Sequence, residues 1–522
     1  MKSRTRLKVA ALFLLAALSA AGQLRESVTV EVIQVPVYVS AADGTPIRNL
    51  PRDAFRLFVD RKEQPIDYFD VVDFAAGVEP RHDLRQRRLF LLLFDRCFSQ
   101  PGSVARAQRA VASLVESSNP STDYFAVANY TANKGVQFVS AFLNDRAAVR
   151  RAIDTLALGE LHDPLGVGVS AAERSTWLDA SGAAAQAMPD LDMGPGVTGG
   201  EGRLMGSNAD LATAEIAAAI KGGESNQDNL RQPLLRAIGD QVDNLADVAA
   251  RLTALEGQKH VVFFSQGFNG AVLNEGSSGM VARSTAGASD RTVNLLQSMI
   301  HVFERAGVIL DTVDIASSNA ESLQILAHGT GGEFVRYQND LAAGIRTLAT
   351  RQEVVYLLGI RRRDVRRGKI DVRVSGLPAG AHVTFRQGFG PPAEHGEVDP
   401  LQLADILLND IPQTGLRVGT RFNPSPGGAE LEFALWPKEI APQLVEKTPY
   451  VDAMLYVFDA AGATVFVSSK RVTFDDKLRA SDAPVILREN LKAKPGKYVA
   501  KAVVRIAGTE SLGFARRELT VE

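Results

Sequence analysis

Cysteine occurs once in the 522 residues, at Cys97. An intrachain disulfide is therefore impossible, and a zinc module built on several thiolates is excluded. The seven histidines are scattered, with no His-Glu-x-x-His pattern and no close pair, so each reads as a surface residue rather than a metal ligand. Neither sign of charge dominates: 58 Lys and Arg against 60 Asp and Glu leave a formal charge of −2. Such a balance supplies no cationic field for nucleic acid or anionic lipid, so neither is expected as a partner. No stretch approaches the ~20 consecutive apolar residues that cross a bilayer, so no transmembrane segment is expected. What remains is ordinary globular usage, with 45% hydrophobic and 23% charged residues. A chain of this length holds roughly three or four domains at ~100–200 residues each.

The first residues carry an address. Lys2, Arg4, Arg6 and Lys8 precede an apolar core from Val9 to Leu18, and Ser19-Ala20-Ala21-Gly22 supplies the small residues of a cleavage site. This is the pattern of a cleaved secretory signal over residues 1–22, too short in its apolar part to be an anchor. No cysteine follows it, so a lipoprotein is not expected. Its removal would take four positive charges and bring the formal charge from −2 to −6. The product is expected to be secreted or periplasmic.

Beyond it, residues 23–80 read as a β region. Val28, Val30 and Val32 alternate with polar residues, Val35–Val39 continues the run, and Phe55–Val59 precedes a turn at Asp60-Arg61. From residue 81 the pattern changes. Leu89–Phe94 is a continuous apolar run, the mark of a strand covered on both faces. Apolar residues at helical spacing follow from Val104 to Val115, and the alternation continues through strands at Tyr124–Tyr130, Val136–Phe142, Val261–Phe264, Val308–Val313, Glu333–Val335 and Val354–Ile360. Helices are expected at Asp145–Leu156, Asn229–Leu255, Val293–Arg305 and Asp340–Thr350. This predicts an α/β unit over 81–352, a doubly wound, mainly parallel sheet with helices on both faces. A Gly-, Ala- and Ser-rich insertion, 157–227, interrupts it, with one helix expected at Asp210–Ile220. The short Tyr124–Phe142 hairpin places that insertion on the sheet's upper, carboxyl edge, and its composition predicts poor order. Residues 353–393 return to β patterning as a hairpin of Lys369–Val374 and Val383–Phe389, and should pair with residues 27–73 in one sheet to complete the N-terminal β domain, since neither segment alone has strands enough to bury a face. After a polar linker, residues 401–522 show seven short strands with turns such as Ala461-Gly462, the pattern of an immunoglobulin-like β-sandwich.

Phe94-Asp95-Arg96-Cys97-Phe98-Ser99, at the end of the first apolar strand, resembles the metal-site loop of a von Willebrand factor A (VWA) domain, normally Asp-x-Ser-x-Ser. Segments Ser121–Val127, Gly257–Phe268, Ala327–Phe334 and Glu353–Ile360 resemble the strands and late elements of the acidobacterial type of VWA-related proteins, and Val35–Val39 through Phe58–Arg61 resembles their N-terminal β region. The resemblance covers residues 28–390. It implies a Rossmann-like VWA fold, a protein partner, and a Mg²⁺ site in which one position is left for a partner's carboxylate. In this chain Asp95 and Ser99 match that site. Cys97 replaces a serine, and a thiol is a soft, poor ligand for Mg²⁺. Gln266 replaces an aspartate, and Ser225, ahead of the helix at Asn229, is the nearest candidate for a threonine ligand. The site reads as degenerate, with Mg²⁺ bound weakly or not at all.

Other motifs point less far. Phe263-Phe264-Ser265-Gln266-Gly267 echoes a nucleophile elbow but lacks the glycine two residues before the serine. Gly329-Thr330-Gly331-Gly332 lacks the Lys-Ser/Thr of a phosphate loop and reads as a turn. Arg361-Arg362-Arg363 with Arg366-Arg367 is a solvated turn or a contact for an acidic partner. Cys97 is either a reactive thiol beside Arg96 or a buried structural residue. Two functions stay open: an exported, non-enzymatic protein- or surface-interaction module, or an exported hydrolase using Ser265 or Cys97 as nucleophile. A histidine and a carboxylate converging on either side chain would favour the hydrolase.

Overall fold

The computed structural model describes residues 32–75, 84–132, 134–156, 227–268, 282–317, 320–361, 367–390, 398–425, 427–446 and 448–522. The signal segment 1–22, the start of the β region to residue 31, Ser225, the Asp210–Ile220 helix and all of the insertion but Gln227 lie outside the described residues, as does most of the arginine cluster at 361–367.

The chain opens with β1 (Val32–Ser40), β2 (Phe55–Val59), β3 (Lys62–Gln64) and β4 (Tyr68–Asp73). The α/β unit follows as β5 (Arg88–Asp95), α1 (Pro101–Ser117), β6 (Asp123–Thr131), β7 (Gly135–Leu143), α2 (Arg146–Thr155), α3 (Gln227–Leu252), β8 (Gln258–Ser265), α4 (Ala282–Ala306), β9 (Val308–Asp314), α5 (Ala320–Thr330), β10 (Phe334–Val335) and α6 (Leu341–Arg351). Its sheet runs β10-β9-β8-β5-β6-β7, parallel except for the edge strand β7, which pairs antiparallel with β6. Because both faces are covered, β5 is buried along its whole length. Odd-numbered residues such as Leu91 and Leu93 pack against α3, α4 and α5. Even-numbered ones such as Leu92 and Phe94 pack against α1, α2 and α6. After β5 the chain adds β6 and β7 on one side and then returns to lay β8 on the other. The crevice above β5 and β8 is therefore the switch point, where open α/β sheets bind ligands.

β11 (Val354–Arg361), β12 (Gly368–Val374), β13 (His382–Phe385) and β14 (Gly388–Phe389) come next. They interleave with the first four strands in two facing sheets, β13-β1-β11-β4 and β14-β12-β2-β3. Ile33, Val35, Val37, Leu57, Tyr356, Leu358, Ile370 and Val372 fill the space between them. The α/β unit is thus carried inside a β-sandwich, between β4 and β11. β12 and β13 are not a hairpin: β12 pairs with β2 and β13 with β1, because the Gly376–Gly380 connection crosses from one sheet to the other.

Two of the longer helices were not expected from the pattern. Gly329 and Thr330 end α5 rather than forming a free turn, and Gly331, at φ +80°, leaves it in the left-handed conformation favoured by glycine. α7 (Pro400–Asn409) stands where a linker gives way to the last domain. That domain is a seven-stranded antiparallel sandwich of β15 (Val418–Ser425), β16 (Gly428–Leu435), β17 (Tyr450–Asp459), β18 (Thr464–Thr473), β19 (Val485–Lys492), β20 (Gly496–Ile506) and β21 (Leu512–Val521), in sheets β15-β16-β19 and β18-β17-β20-β21. α7 is buried on two sides. Leu401 and Ala404 enter the α/β core, while Ile406 and Leu407 pack on Tyr456, Phe458 and Val503 of the last sandwich.

Candidate functional site

β5 and β8 end side by side at the upper edge, which brings together Asp95 of the first and Ser265 of the second. Both are fully buried. Asp95 Oδ1 accepts hydrogen bonds from the backbone amides of Cys97 (2.8 Å) and Phe98 (3.0 Å). Its Oδ2 accepts from the Ser265 hydroxyl at 2.5 Å and from the Gln241 side-chain amide of α3 at 3.3 Å. Gln266 closes the other half of the site. Its Oε1 accepts from the Gln100 amide (3.2 Å) at the start of α1, its Nε2 donates to Ser103 Oγ (3.0 Å), and its backbone amide donates to Ser99 Oγ (3.1 Å). The Gly267 amide donates to Ser265 Oγ at 2.9 Å.

The sequence-derived set Asp95, Cys97, Ser99 and Gln266 is thus brought to one edge, while Ser225 lies outside the described residues. The donor set does not fit a divalent ion. A hard cation needs oxygen lone pairs turned towards it, and those of Asp95 are met by two backbone amides, a hydroxyl and an amide nitrogen. Gln266 brings no charge and spends its amide on α1. Among the described residues no three His, Cys, Asp or Glu side chains converge as metal ligands. Burial pushes the Asp95 carboxyl up, against the pull of Ser265 and the two backbone amides.

Among the described residues nothing activates either proposed nucleophile. Burial, then the carboxylates of Asp95 and Asp240, push the Cys97 thiol up to about 12, so the thiolate is scarce at neutral pH. Ser265 donates to Asp95, and no histidine touches it among the described residues. The nearest histidine in sequence, His260, sits at the other end of β8. There its Nε2 meets the Tyr38 hydroxyl (3.2 Å) and its Nδ1 meets Asp311 Oδ2 (3.1 Å), in the seam between the α/β sheet and the first sandwich.

Sequence reasoning missed Gln241 and Tyr130. Gln241 interrupts the apolar stripe Ile238, Val242, Leu245 of α3, and a polar residue on such a stripe is the signal that marks it. Tyr130 pairs with Asp95 across the β5–β6 ladder, and its hydroxyl has no hydrogen-bond partner among the described residues.

No family model matches the chain, and no curated protein does. Solved structures with a likeness include an aerotolerance-related membrane protein from Bacteroides fragilis, 10% identical over 51% of this chain and 99% of that one at a TM-score of 0.22. They also include BatB from Bacteroides thetaiotaomicron, 10% identical over 51% and 96% at 0.21, and manganese-loaded TRAP protein from Plasmodium vivax, 10% identical over 62% and 98% at 0.23. Likeness at this level fixes neither chemistry nor partner. The architecture itself, a mixed, largely parallel sheet joined to antiparallel ones, is compatible with a VWA-like unit. No helix among the described residues is long and apolar enough to cross a membrane.

Proposed function

We propose that the protein is an exported interaction module, a VWA-like unit framed by two β domains, the second immunoglobulin-like, which presents its upper edge to a protein partner. It needs no divalent ion and performs no hydrolysis. The observation that carries this reading is Asp95, whose four donors already occupy the lone pairs that an ion would use. The buried Ser265 and the high thiol of Cys97 argue against the hydrolase. Export rests on the residues from Lys2 to Gly22.

Affinity capture from the native envelope fraction, with Mg²⁺ and with a chelator, tests the interaction. The same partner is expected in both, and loss of the partner with chelator would refute ion independence. Failure to recover any specific partner in either condition would count against the module itself. N-terminal sequencing of the native protein should begin near Gln23; an intact Met1 would refute export by this signal.

A further inference from the structure

A strand at the rim of a sheet leaves a row of N–H and C=O groups unpaired, and folded proteins blunt such rims. Among the described residues the rims of the sheets are blunted, with one exception. β10 and β14 are two residues long, and β3 is three residues long and followed by Pro65. In β4 the Asp70 carboxylate takes the Val71 amide (2.9 Å), and the Phe142 carbonyl of β7 is taken by Asn409 of α7 (2.8 Å). Gly331 lies against the last carbonyl of β13, at Phe385. β15 carries Arg421 and Pro424, and β21 carries Arg516, Arg517 and Glu518. Lys470 caps the Arg488 carbonyl of β19 at 2.6 Å. The exception is the first half of β18. From Ala460 to Ser469 the chain has no charge and no proline. Val465 is 46% exposed, and apart from the ladder with β17 no backbone hydrogen bond reaches Thr464–Ser469 among the described residues. Phe474 continues that ladder by donating to the Pro449 carbonyl, so the even-numbered residues of β18 face β17, while Val467 and Ser469 turn their N–H and C=O groups outward.

We propose that this edge pairs with the same edge of a second copy of the chain, antiparallel, about a two-fold axis at Val467. The pairing joins two four-stranded sheets into one continuous sheet. The sequence of the edge favours a second copy as its occupant, because the uncharged run is its own complement. The axis sets Val465 opposite the partner subunit's Ser469, and Lys470 and Arg471 opposite the partner subunit's Thr464 and Ala463, so no like charges meet. The residues brought together from Thr464 to Ser469 are β-branched, aromatic or hydroxyl-bearing, types that suit cross-strand pairs. Such a contact is isologous and closes at two copies. So short an edge buries less than the ~1,200 Å² of a stable interface, so the association is weak and concentration-dependent. The contact lies in the last sandwich, away from Asp95 and the α/β unit, and it gives each particle two upper edges, which makes weak binding there bivalent.

Sedimentation equilibrium of the purified protein from about 1 to 200 μM tests it, since dimerisation follows mass action. The wild type should pass from monomer towards dimer across that range, and amide hydrogen exchange over Thr464–Ser469 should slow at the high end. Two variants place the contact. Val465→Lys puts a charge on the exposed edge, and Ser469→Pro removes an N–H that β17 does not use. Each should raise the dissociation constant about tenfold or more while leaving the thermal unfolding of the monomer as it is in the wild type. A wild type that stays monomeric at the top of the range overturns the proposal. So do both variants associating as tightly as the wild type, or a dimer whose β18 amides exchange as fast as those of the monomer.

Discussion

A carboxylate taken out of water is tolerated only where its oxygens are answered, and Asp95 is answered four times. Asp95→Ala would leave two backbone amides, a serine hydroxyl and a glutamine amide without their acceptor, at a cost of about 3 kcal/mol or more in chemical denaturation. Asp95→Asn keeps an acceptor for the two amides and should cost far less. The pair also separates charge from geometry. Because burial raises the folded-state pKa, ionising Asp95 opposes folding. Its contribution to stability is greatest below the ordinary carboxylate pKa and declines as pH rises from there through the raised value. The Asn variant should lack that decline, and a wild-type slope retained in it would refute the assignment. Cys97, with its thiol near 12, should resist iodoacetamide at pH 8 in the native protein and react only on unfolding. Calorimetry should show no Mg²⁺ binding tighter than about millimolar in the wild type. The double change Cys97→Ser with Gln266→Asp restores a hydroxyl and a carboxylate but leaves the four donors on Asp95, so it should not by itself bring tight Mg²⁺ binding; micromolar affinity in it would mean that those donors do not close the site. Sequence spacing placed Asp95 and Ser99 on one loop and Gln266 after the neighbouring strand, because both follow apolar runs that end at the same sheet edge. It was silent on Gln241 and Tyr130, whose importance depends on which strand pairs with which and on how α3 lies across them.

At the scale of elements, Arg87, just before β5, and Arg88, its first residue, work in opposite directions. Arg88 binds Asp123 of β6 through two hydrogen bonds of 2.8 Å and donates to the Ala349 carbonyl of α6. Arg87 binds Asp405 of α7, also twice, at 3.0 Å, with both side chains buried. α7 is further held by Arg251 on its capping Asp399, by Asn409 on the carbonyl of Phe142 in edge strand β7, and by Lys501, which meets its C-terminal carbonyl at Leu407 and Asp410. Breaking one partner of a buried pair strands the other charge, so Arg87→Ala or Asp405→Ala should cost about 3–5 kcal/mol, while replacing both by apolar residues of similar volume should recover most of it. Additive single-variant losses in that cycle would contradict a direct pair. The strands and helices with strong period were readable from their residues alone. α7 was not, because its ten residues are apolar on two faces, Leu401 and Ala404 on one and Ile406 and Leu407 on the other, and no single stripe announces it. α5 was hidden for a different reason: Gly329 sits within it against Ile300, and glycines there suggest a turn.

Across the whole molecule, the first sandwich and the α/β sheet share a buried seam. Tyr38, Val72, Phe74, Val355 and Leu357 from the sandwich pack on Ile309 of β9. Beside them the buried Asp311 accepts from Gln352 (2.9 Å) and from the Glu333 amide (2.9 Å), and is bonded to His260. Asp311→Ala would unpair all three, so hydrogen exchange should quicken in β1 and in β8 together. Quickening confined to β8 would mean the two units open separately. The β character of β11 to β14 was legible, but their division between two facing sheets was not, since alternation in sequence does not say which strand lies alongside. That division also sets a clock. β1 emerges among the first residues of the chain, yet its only neighbours in the sheet, β11 and β13, begin at Val354 and His382. At about 5–20 residues per second, synthesis takes roughly 15–60 s to reach them. Through that interval β1 has both edges open and its valines uncovered, so any nascent or truncated chain ending before residue 354 carries a template for aggregation that the finished protein conceals.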